Sequence, residues 1–344
     1  MHDAPGSASQ LDARLQALLR VLERYRLVLA VGSFALGGAS FLLVEHGEQL
    51  ARWIGLLLVL NWLLIVSENT LGRWLARWRW ARFSPVVLRY AMQAVHQQTF
   101  FFCLPFLLST TSWASGQALF TALACAAALA TMWDPLYYGA IAPQPALHLA
   151  LHGFAMYLAM LTVPPLLWHL TTTRSLALAS ATIGLLSLPS LARLMPQRGL
   201  RGWLLLCVAG AGLGLLSWLA RPWVPPATLW LGQGVISTSV DAERRQPGAP
   251  LETVTQEALR RDGVCAFTAI HAPRGLSEQV FHRWVFRGRE VMRIPLQISG
   301  GREQGYRAWS CKQSFPEDAT GRWSVEVVTD ARQMIGEVRF RVTP

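Results

Sequence analysis

Two histidines at helical spacing are the first residues of this chain whose types and positions suggest chemistry. His148 and His152 are four residues apart, so a helix would carry both imidazoles on one face. Imidazole nitrogens bind metal ions, and His96 or Asp134 is a candidate to complete such a site. The alternative, which we favour, is that these side chains reach water at a membrane interface. The pattern HxxxH lacks the glutamate of the metalloprotease motif, which weakens the metal interpretation.

These residues belong to a predicted polar cluster beside the apolar runs of the chain. Glu68 ends one apolar run, and we group it with His96, Asp134, His148 and His152 at the cytoplasmic membrane interface. Ionisable groups at membrane depth are functional candidates. Lining a transport path and holding a metal or haem are the two activities that such a cluster would support. The chain has no cofactor fingerprint, so the sequence itself predicts no cofactor and no bound metal.

A second group of candidates lies near the C-terminus. The binding candidates there are His282, Trp284, Arg302, Arg307 and Trp323. Guanidinium groups match phosphate or carboxylate oxygens, so the arginines fit an anionic partner. The tryptophans have a competing interpretation as core residues, and we place core packing ahead of ligand binding for them.

Cys265 and Cys311 fall on predicted strands in the same part of the chain. In an oxidising compartment the two thiols would form a disulfide. Two separate buried thiols fit the sequence equally well, because pairing cannot be deduced from sequence.

Long apolar runs must position the polar cluster that contains His96, Asp134, His148 and His152. A bilayer span needs about 20 mainly apolar residues, and about seven runs approach that length. They are Leu27–Val44, Ala51–Ser67, Thr99–Trp113, Ala118–Trp133, Leu147–Trp168, Leu176–Leu191 and Trp203–Leu219. Gly210 and Gly214 give the last run a small-residue face, which is compatible with close helix packing and with a homo-oligomer.

Arginine placement predicts the orientation of these runs. The basic positions are Arg14, Arg20, Arg24 and Arg26, then Arg73, Arg77, Arg79, Arg82 and Arg89, and finally Arg193, Arg198 and Arg201. With seven spans all three stretches lie on one side, which the positive-inside rule makes cytoplasmic. The N-terminus is then cytoplasmic and the C-terminal part periplasmic, in a bacterial inner membrane crossed several times.

Composition excludes one class of partner. The formal net charge of the 344 residues is +11, and 52% of them are hydrophobic. A basic chain suggests nucleic-acid binding. Most arginines flank apolar runs instead, which is the topology signal of a membrane protein. We therefore predict no nucleic-acid partner and expect the lipid bilayer as the main environment.

In the C-terminal part of the chain, apolar and polar residues alternate with the period of two that is typical of β-strands. We predict strands at Leu229–Val240, Val264–His271, Gln279–Arg287, Glu290–Ile298, Gly305–Gln313, Trp323–Thr329 and Met334–Val342. One short helix is predicted at Leu251–Arg260. Short strands at regular spacing with turns between them are typical of an immunoglobulin-like sandwich.

These elements divide the chain into four segments. Residues 1–26 are a basic amphipathic segment, 27–219 a transmembrane domain, 220–228 a proline-rich linker and 229–344 an extracytoplasmic domain. The predicted fold class is a membrane all-α bundle of about seven transmembrane helices. A C-terminal all-β immunoglobulin-like sandwich completes it.

A series of motifs in the last part of the chain resembles a known module. The motifs are His282-Arg283-Trp284, Gly300-Gly301-Arg302, Gly305-Tyr306-Arg307, Ser310, Gly321-Arg322-Trp323 and Gln333-Met334-Ile335-Gly336, ending in Phe340. This order resembles the uncharacterised bacterial module called domain-of-unknown-function family twenty-nine-fourteen, over residues 235–344. The multi-span half is similar to the membrane regions that accompany this module. The resemblance implies the architecture and no established activity.

The motifs that are missing shape the functional prediction. The chain has no P-loop, GxSxG, HExxH or dinucleotide fingerprint, so we predict no enzyme. The leading hypothesis is a non-enzymatic envelope scaffold whose periplasmic domain binds a protein or an anionic polymer. The alternatives are a transporter or channel-like component and a metal- or haem-binding membrane protein.

Overall fold

The computed structural model describes residues 84–188, 191–192 and 199–344, together with seven positions between Arg24 and Ala39. The predicted spans Leu27–Val44 and Ala51–Ser67 otherwise lie outside the described residues, as does Glu68. The helices are α1 (Ser84–Thr110), α2 (Gln117–Met132), α3 (Asp134–Leu136), α4 (Pro145–Trp168), α5 (Thr172–Leu186), α6 (Gly199–Leu219) and α7 (Gln256–Asp262).

Two of the described helices, α4 and α6, are long and apolar enough to cross a membrane. A third span is added if α2 and the following segment Asp134–Ile141, bent by 93°, are taken together. The described residues thus support two or three spans where the sequence predicts five. Polar residues interrupt the apolar character of α1, and the 15 residues of α5 fall short of the about 20 that a span needs.

Glycines bring α5 and α6 into close contact. A Cβ added to Gly210 would lie 2.7 Å from the carbonyl oxygen of Gly184, and one added to Gly214 would lie 3.0 Å from that of Ser180. Small residues allow helix backbones to approach in this way. The glycine face predicted from the sequence is therefore occupied within the chain itself.

The C-terminal region is rich in sheet. Its strands are β1 (Trp230–Ser237), β2 (Val240–Asp241), β3 (Gln246–Pro247), β4 (Thr253–Thr255), β5 (Val264–His271), β6 (Ser277–Phe286), β7 (Arg289–Ser299), β8 (Tyr306–Lys312), β9 (Gly321–Thr329) and β10 (Met334–Thr343). All seven predicted strands are present. The predicted helix Leu251–Arg260 was wrong in its first half, where Thr253–Thr255 instead pairs in parallel with β10.

Two sheets share the core of this region. One has the strand order β1-β5-β8 and the other the order β4-β10-β9-β6-β7. Alternate residues of each strand point inward, as Val280, Trp284 and Phe286 do on β6. Hydrogen bonds from β6 to β5 and β8 cross between the sheets, so the inner faces meet.

Buried polar contacts join the sheet region to the helical region. Glu278 on β6 accepts hydrogen bonds from the backbone N–H of Thr172 at 2.9 Å and from its hydroxyl, at the start of α5. Gln333 donates to the carbonyl oxygen of Val224 at 3.2 Å, and Gln117 of α2 donates to that of Met334 at 2.9 Å. The ends of several helices thus lie against one end of the sheet region.

Candidate functional site

His96 occupies the centre of the polar cluster, in the middle of α1. The sequence predicts this residue ahead of a span, near the cytoplasmic membrane interface, with a side chain that reaches water. The side chain does not reach water, because α1 already begins at Ser84 and His96 is 0% exposed. Gln93 and His96 are three residues apart and share a helix face. Both meet polar partners inside the bundle, which makes their burial tolerable.

Both ring nitrogens of His96 have partners. Nδ1 lies 3.1 Å from the hydroxyl oxygen of Tyr137, and Nε2 lies 3.1 Å from Nδ1 of His152. His152 is also buried, whereas His148 is half-buried, with its ring centre 5.6 Å from that of His96. The structure therefore brings the three histidines of the predicted cluster together.

Asp134 joins the cluster through an intermediary. The side-chain amide of Gln93 donates to Oδ1 of Asp134 at 2.9 Å and to the carbonyl oxygen of Thr131 at 3.0 Å. The hydroxyl of Tyr138 donates to the oxygen of the same amide. A π-helical turn, Tyr137–Ile141, positions both tyrosines. Such turns occur mostly as short local features, frequently at functional sites.

The chemistry available to this cluster is proton exchange. Among the described residues, no group of three or more His, Cys, Asp or Glu side chains could hold a metal ion. A neutral imidazole donates at one nitrogen and accepts at the other. The row Tyr137–His96–His152 can therefore reverse its donors and acceptors without moving a heavy atom.

A second buried histidine lies in the core of the sheet region. His282 on β6 has Nε2 at 2.8 Å from the hydroxyl of Thr268 and Nδ1 at 2.8 Å from that of Ser310. Burial lowers the pKa of His282 to about 4, because the charged form loses its hydration. The indole N–H of Trp284 donates to the same Ser310 hydroxyl at 3.1 Å.

Three of the predicted binding residues lie in this core. His282 and Trp284 are 0% exposed and Trp323 is 1% exposed. Trp323 donates to the carbonyl oxygen of Ala319 at 2.8 Å and stacks on Phe286 with ring centres 4.4 Å apart. His282 and Trp284 offer no surface to a partner, and Trp323 packs in the core beneath a groove on the outer face of the five-stranded sheet, so binding at these positions is corrected to the packing interpretation.

Arg302 and Arg307 remain outside the core. The guanidinium of Arg302 lies 4.8 Å from the ring centre of Tyr306. Arg307 donates to the carbonyl oxygen of Arg245 at 3.3 Å and to the side-chain oxygen of Gln304. Neither contact builds an enclosed pocket.

Cys265 and Cys311 form a disulfide in the structure. They are direct partners on the neighbouring strands β5 and β8, so the bond lies within one sheet. Of the two interpretations open from the sequence, the structure contains the paired one.

A groove of about 840 Å³ crosses the outer face of the five-stranded sheet. Arg322 on β9 and Arg341 on β10 line it and are direct cross-strand partners. Both are exposed, and within the described part of the chain neither forms an ion pair with a carboxylate. Like charges directly opposite each other destabilise a sheet.

The other arginines around this groove are neutralised. Arg287 pairs with Asp318 and Arg339 with Glu337, while Glu326 of the groove pairs with the neighbouring Arg283. Glu252, which is exposed, also lines the groove. Arg322 and Arg341 therefore stand apart as the cations of the groove that have no anionic partner among the described residues.

The sequence alone left several of these residues unnamed. Gln93 and Tyr137 each lie three residues from a predicted cluster member, His96 and Asp134 respectively, so helical spacing could have found them. Arg322 precedes the inward Trp323 on a predicted strand, which already placed it on the outer face. Its pairing with Arg341 depends on strand register and was not visible.

Apolar helices that carry a sheet region at one end define a helical protein with candidate membrane spans and a C-terminal β region. Comparison with known families matches residues 8–266 to a family of unknown function, DUF5924, and residues 277–342 to a protein family of unknown function, DUF2914. The first match covers well over half of the chain, which therefore belongs to the DUF5924 family. The second confirms the resemblance stated above over a shorter range. No curated protein and no solved structure matches the chain.

Proposed function

We propose that this chain is a non-enzymatic, membrane-anchored binding protein whose sheet region recognises an anionic polymer of the bacterial envelope. The observation that carries this proposal is the pair Arg322 and Arg341, which face each other across two strands in an open groove. Two guanidinium groups on directly opposite residues of neighbouring strands repel each other in the free protein. A phosphate or carboxylate between them would accept charge-assisted hydrogen bonds from both.

The surface of the sheet region favours a polymer over a protein partner. Among the residues from 230 to 344, Val291 is the one large hydrophobic side chain that is clearly exposed. Protein interfaces draw most of their binding energy from a few buried aromatic and arginine anchors. The aromatic residues that line the groove, Trp323 and Phe340, are buried beneath it, and its exposed side chains include Arg322 and Arg341. Such a groove is better matched to a repeating anionic chain.

The direction of the helices supports a periplasmic sheet region. The C-terminal ends of α1 and α4 and the N-terminal ends of α2 and α5 lie toward that region, since Gln117 and Thr172 contact it directly. The opposite ends of α1 and α6 follow the arginine-rich stretches of the sequence. We propose an inner-membrane protein of about seven spans with those stretches in the cytoplasm.

Strand order supports an immunoglobulin-like sandwich for residues 229–344, with 220–228 as the linker and 27–219 as the membrane domain. Taking β1, β5 and β8 as strands A, B and E, and β6, β9 and β10 as C, F and G, gives the order of that fold. The buried Trp284 then falls on strand C, where immunoglobulin domains carry a core tryptophan.

A binding measurement on the full-length protein tests the groove. Labelled dextran sulfate is the probe and uncharged dextran the reference. We expect the double variant Arg322→Gln/Arg341→Gln to weaken binding by ~10-fold or more, since each lost charged hydrogen bond is worth roughly 1.5–3 kcal/mol.

The matched control removes the same charge elsewhere. Arg244 and Arg274 are exposed and do not line the groove. Arg244→Gln/Arg274→Gln should bind dextran sulfate like the wild type. An equal loss in both double variants would assign the binding to net charge, and no binding by the wild type would refute the polymer proposal.

Topology is tested independently of binding. A reporter that is active only in the periplasm, fused after Pro344, should be active. A reporter active only in the cytoplasm should be silent at the same position. The reverse result would place the sheet region in the cytoplasm and exclude an envelope polymer as its partner.

A further inference from the structure

The histidine cluster of the helical region is not used by the proposed groove and has its own chemistry. We propose that His96, His148 and His152 together form a binding site for one exchangeable proton inside the helical region. The site is defined by three imidazole rings whose centres lie 5.4 to 6.0 Å apart.

Burial changes in steps along the cluster. His148 is half-buried, His152 is 8% exposed and His96 is 0% exposed. His148 is the most exposed of the three rings, so we place the entry of the proton at this residue. His96 is the end of this series and contacts Tyr137, which is 1% exposed.

The contact between His96 and His152 holds a single hydrogen between two nitrogen atoms. Nε2 of His96 and Nδ1 of His152 are 3.1 Å apart, so one nitrogen donates and the other accepts. When His152 carries the extra proton, its Nδ1–H donates to Nε2 of His96. Transfer moves that hydrogen to His96 and leaves His152 neutral with its hydrogen on Nε2.

Tyr137 supports this transfer as an acceptor. While Nε2 of neutral His96 accepts from His152, the hydrogen of His96 is on Nδ1 and donates to the hydroxyl oxygen of Tyr137 at 3.1 Å. That hydrogen bond is kept after the transfer, when His96 carries hydrogens on both ring nitrogens. The positive charge is conserved, one N–H bond breaks and one forms, and no other reactant or movement of a heavy atom is needed.

The charged surroundings fit one proton and not more. Between residues 84 and 188 the chain has a single acidic residue, Asp134, whose Oδ1 accepts a hydrogen bond from Gln93 one helical turn from His96. Tyr90 and Tyr138, with ring centres 5.5 Å apart, are further titratable groups on this side among the described residues. Two imidazolium groups so close together would repel each other strongly in a poorly hydrated interior.

Imidazole nitrogen-15 chemical shifts of the histidine-labelled full-length protein in lipid bilayers test the site, because they report the protonation state of each ring. We expect the signals of His96 and His152 to change together on acidification, with one proton taken up by the pair. His96→Gln should remove this shared transition and leave His152 with a different midpoint. Tyr137→Phe keeps the ring and should lower the shared midpoint by ~0.5 to 1 pH unit, the equivalent of one hydrogen bond.

The control is His169→Asn, which changes an exposed histidine at the end of α4 whose φ of 52° asparagine tolerates. It should leave the shared transition unchanged. The proposal is overturned if His96 keeps the shifts of a neutral ring down to pH 4. It is equally overturned if the midpoint of His152 is the same with and without His96, since Tyr137→Phe then reports packing alone.

Discussion

The helical region and the sheet region each enclose one histidine that is 0% exposed, and the two are surrounded differently. His96 contacts groups that can themselves gain or lose a proton, namely Tyr137 and His152. His282 contacts the hydroxyls of Thr268 and Ser310, which do not titrate in the physiological range. Burial alone therefore does not make a histidine functional. The ability of its partners to exchange a proton separates the two sites.

The largest expected effect is a loss of stability of the sheet region on acidification, caused by His282. The pKa of His282 is lowered by burial to about 4, below its ordinary 6.5. The unfolded chain therefore takes up a proton before the folded one does, and stability is lost as the pH falls from 6.5 toward 4. The loss should reach ~3 kcal/mol.

Thermal unfolding of the full-length protein at pH 7 and pH 4.5 measures this loss. His282→Asn should flatten the pH dependence, whereas His169→Asn should keep the wild-type slope. Equal slopes in the wild type and His282→Asn would remove the contrast between the two buried histidines.

The joint between the regions should show the next largest effect. Glu278 is 2% exposed, and burial raises its pKa, while hydrogen bonds from Thr172 act in the opposite direction. Glu278→Ala leaves the Thr172 N–H without its acceptor, at a cost of ~1–3 kcal/mol. Amide hydrogen exchange at the start of α5 should accelerate accordingly.

Glu278→Gln is the matched variant for this joint, because its amide oxygen can still accept from Thr172. Exchange in the glutamine variant should stay close to that of the wild type. If Glu278→Ala exchanged as slowly as the wild type, the two regions would be held together by their apolar contacts alone.

The outer groove should give the smallest effect, and one of opposite sign. Arg322→Thr removes one of two like charges that are direct cross-strand partners, so the variant should be more stable by ~0.2–1 kcal/mol. Arg339→Thr breaks the ion pair with Glu337 and should bring no such gain. Urea unfolding of both variants would decide this, and a destabilised Arg322→Thr would contradict the like-charge account of the groove.

Local sequence patterns predicted most elements of the sheet region and fewer of those in the helical region. The strand predicted at Val264–His271 has those bounds in the structure, because its composition and flanking residues are local signals. The start of the predicted helix at Leu251 failed, since Thr253–Thr255 gains a strand partner from β10, far along the chain. The side chain of Thr255 then caps α7 by accepting from the N–H of Ala258.

The members of the polar cluster were predicted from residue type, but their exposure to water was predicted incorrectly. Membrane hydropathy indicated that His96, His148, His152 and Asp134 share one side of the helical region. Whether they face water or one another depends on the bend after α2, which turns the chain by 93° and brings Tyr137 against α1. That bend is a tertiary feature, and no periodicity in the sequence encodes it.

The disulfide between Cys265 and Cys311 connects the two family segments of the chain. Cys265 lies near the end of the segment matched to DUF5924, and Cys311 lies inside the segment matched to DUF2914. The first matched segment ends at residue 266, inside β5, and the second begins at residue 277, where β6 starts, so the boundary runs through the sheet region. A protease cutting between 272 and 276 would therefore leave two fragments that migrate as one chain until a reductant separates them. The two family segments therefore share one sheet region, because a core cluster of that region combines Ile236 and Val264 from the first segment with Trp284 and Trp323 from the second.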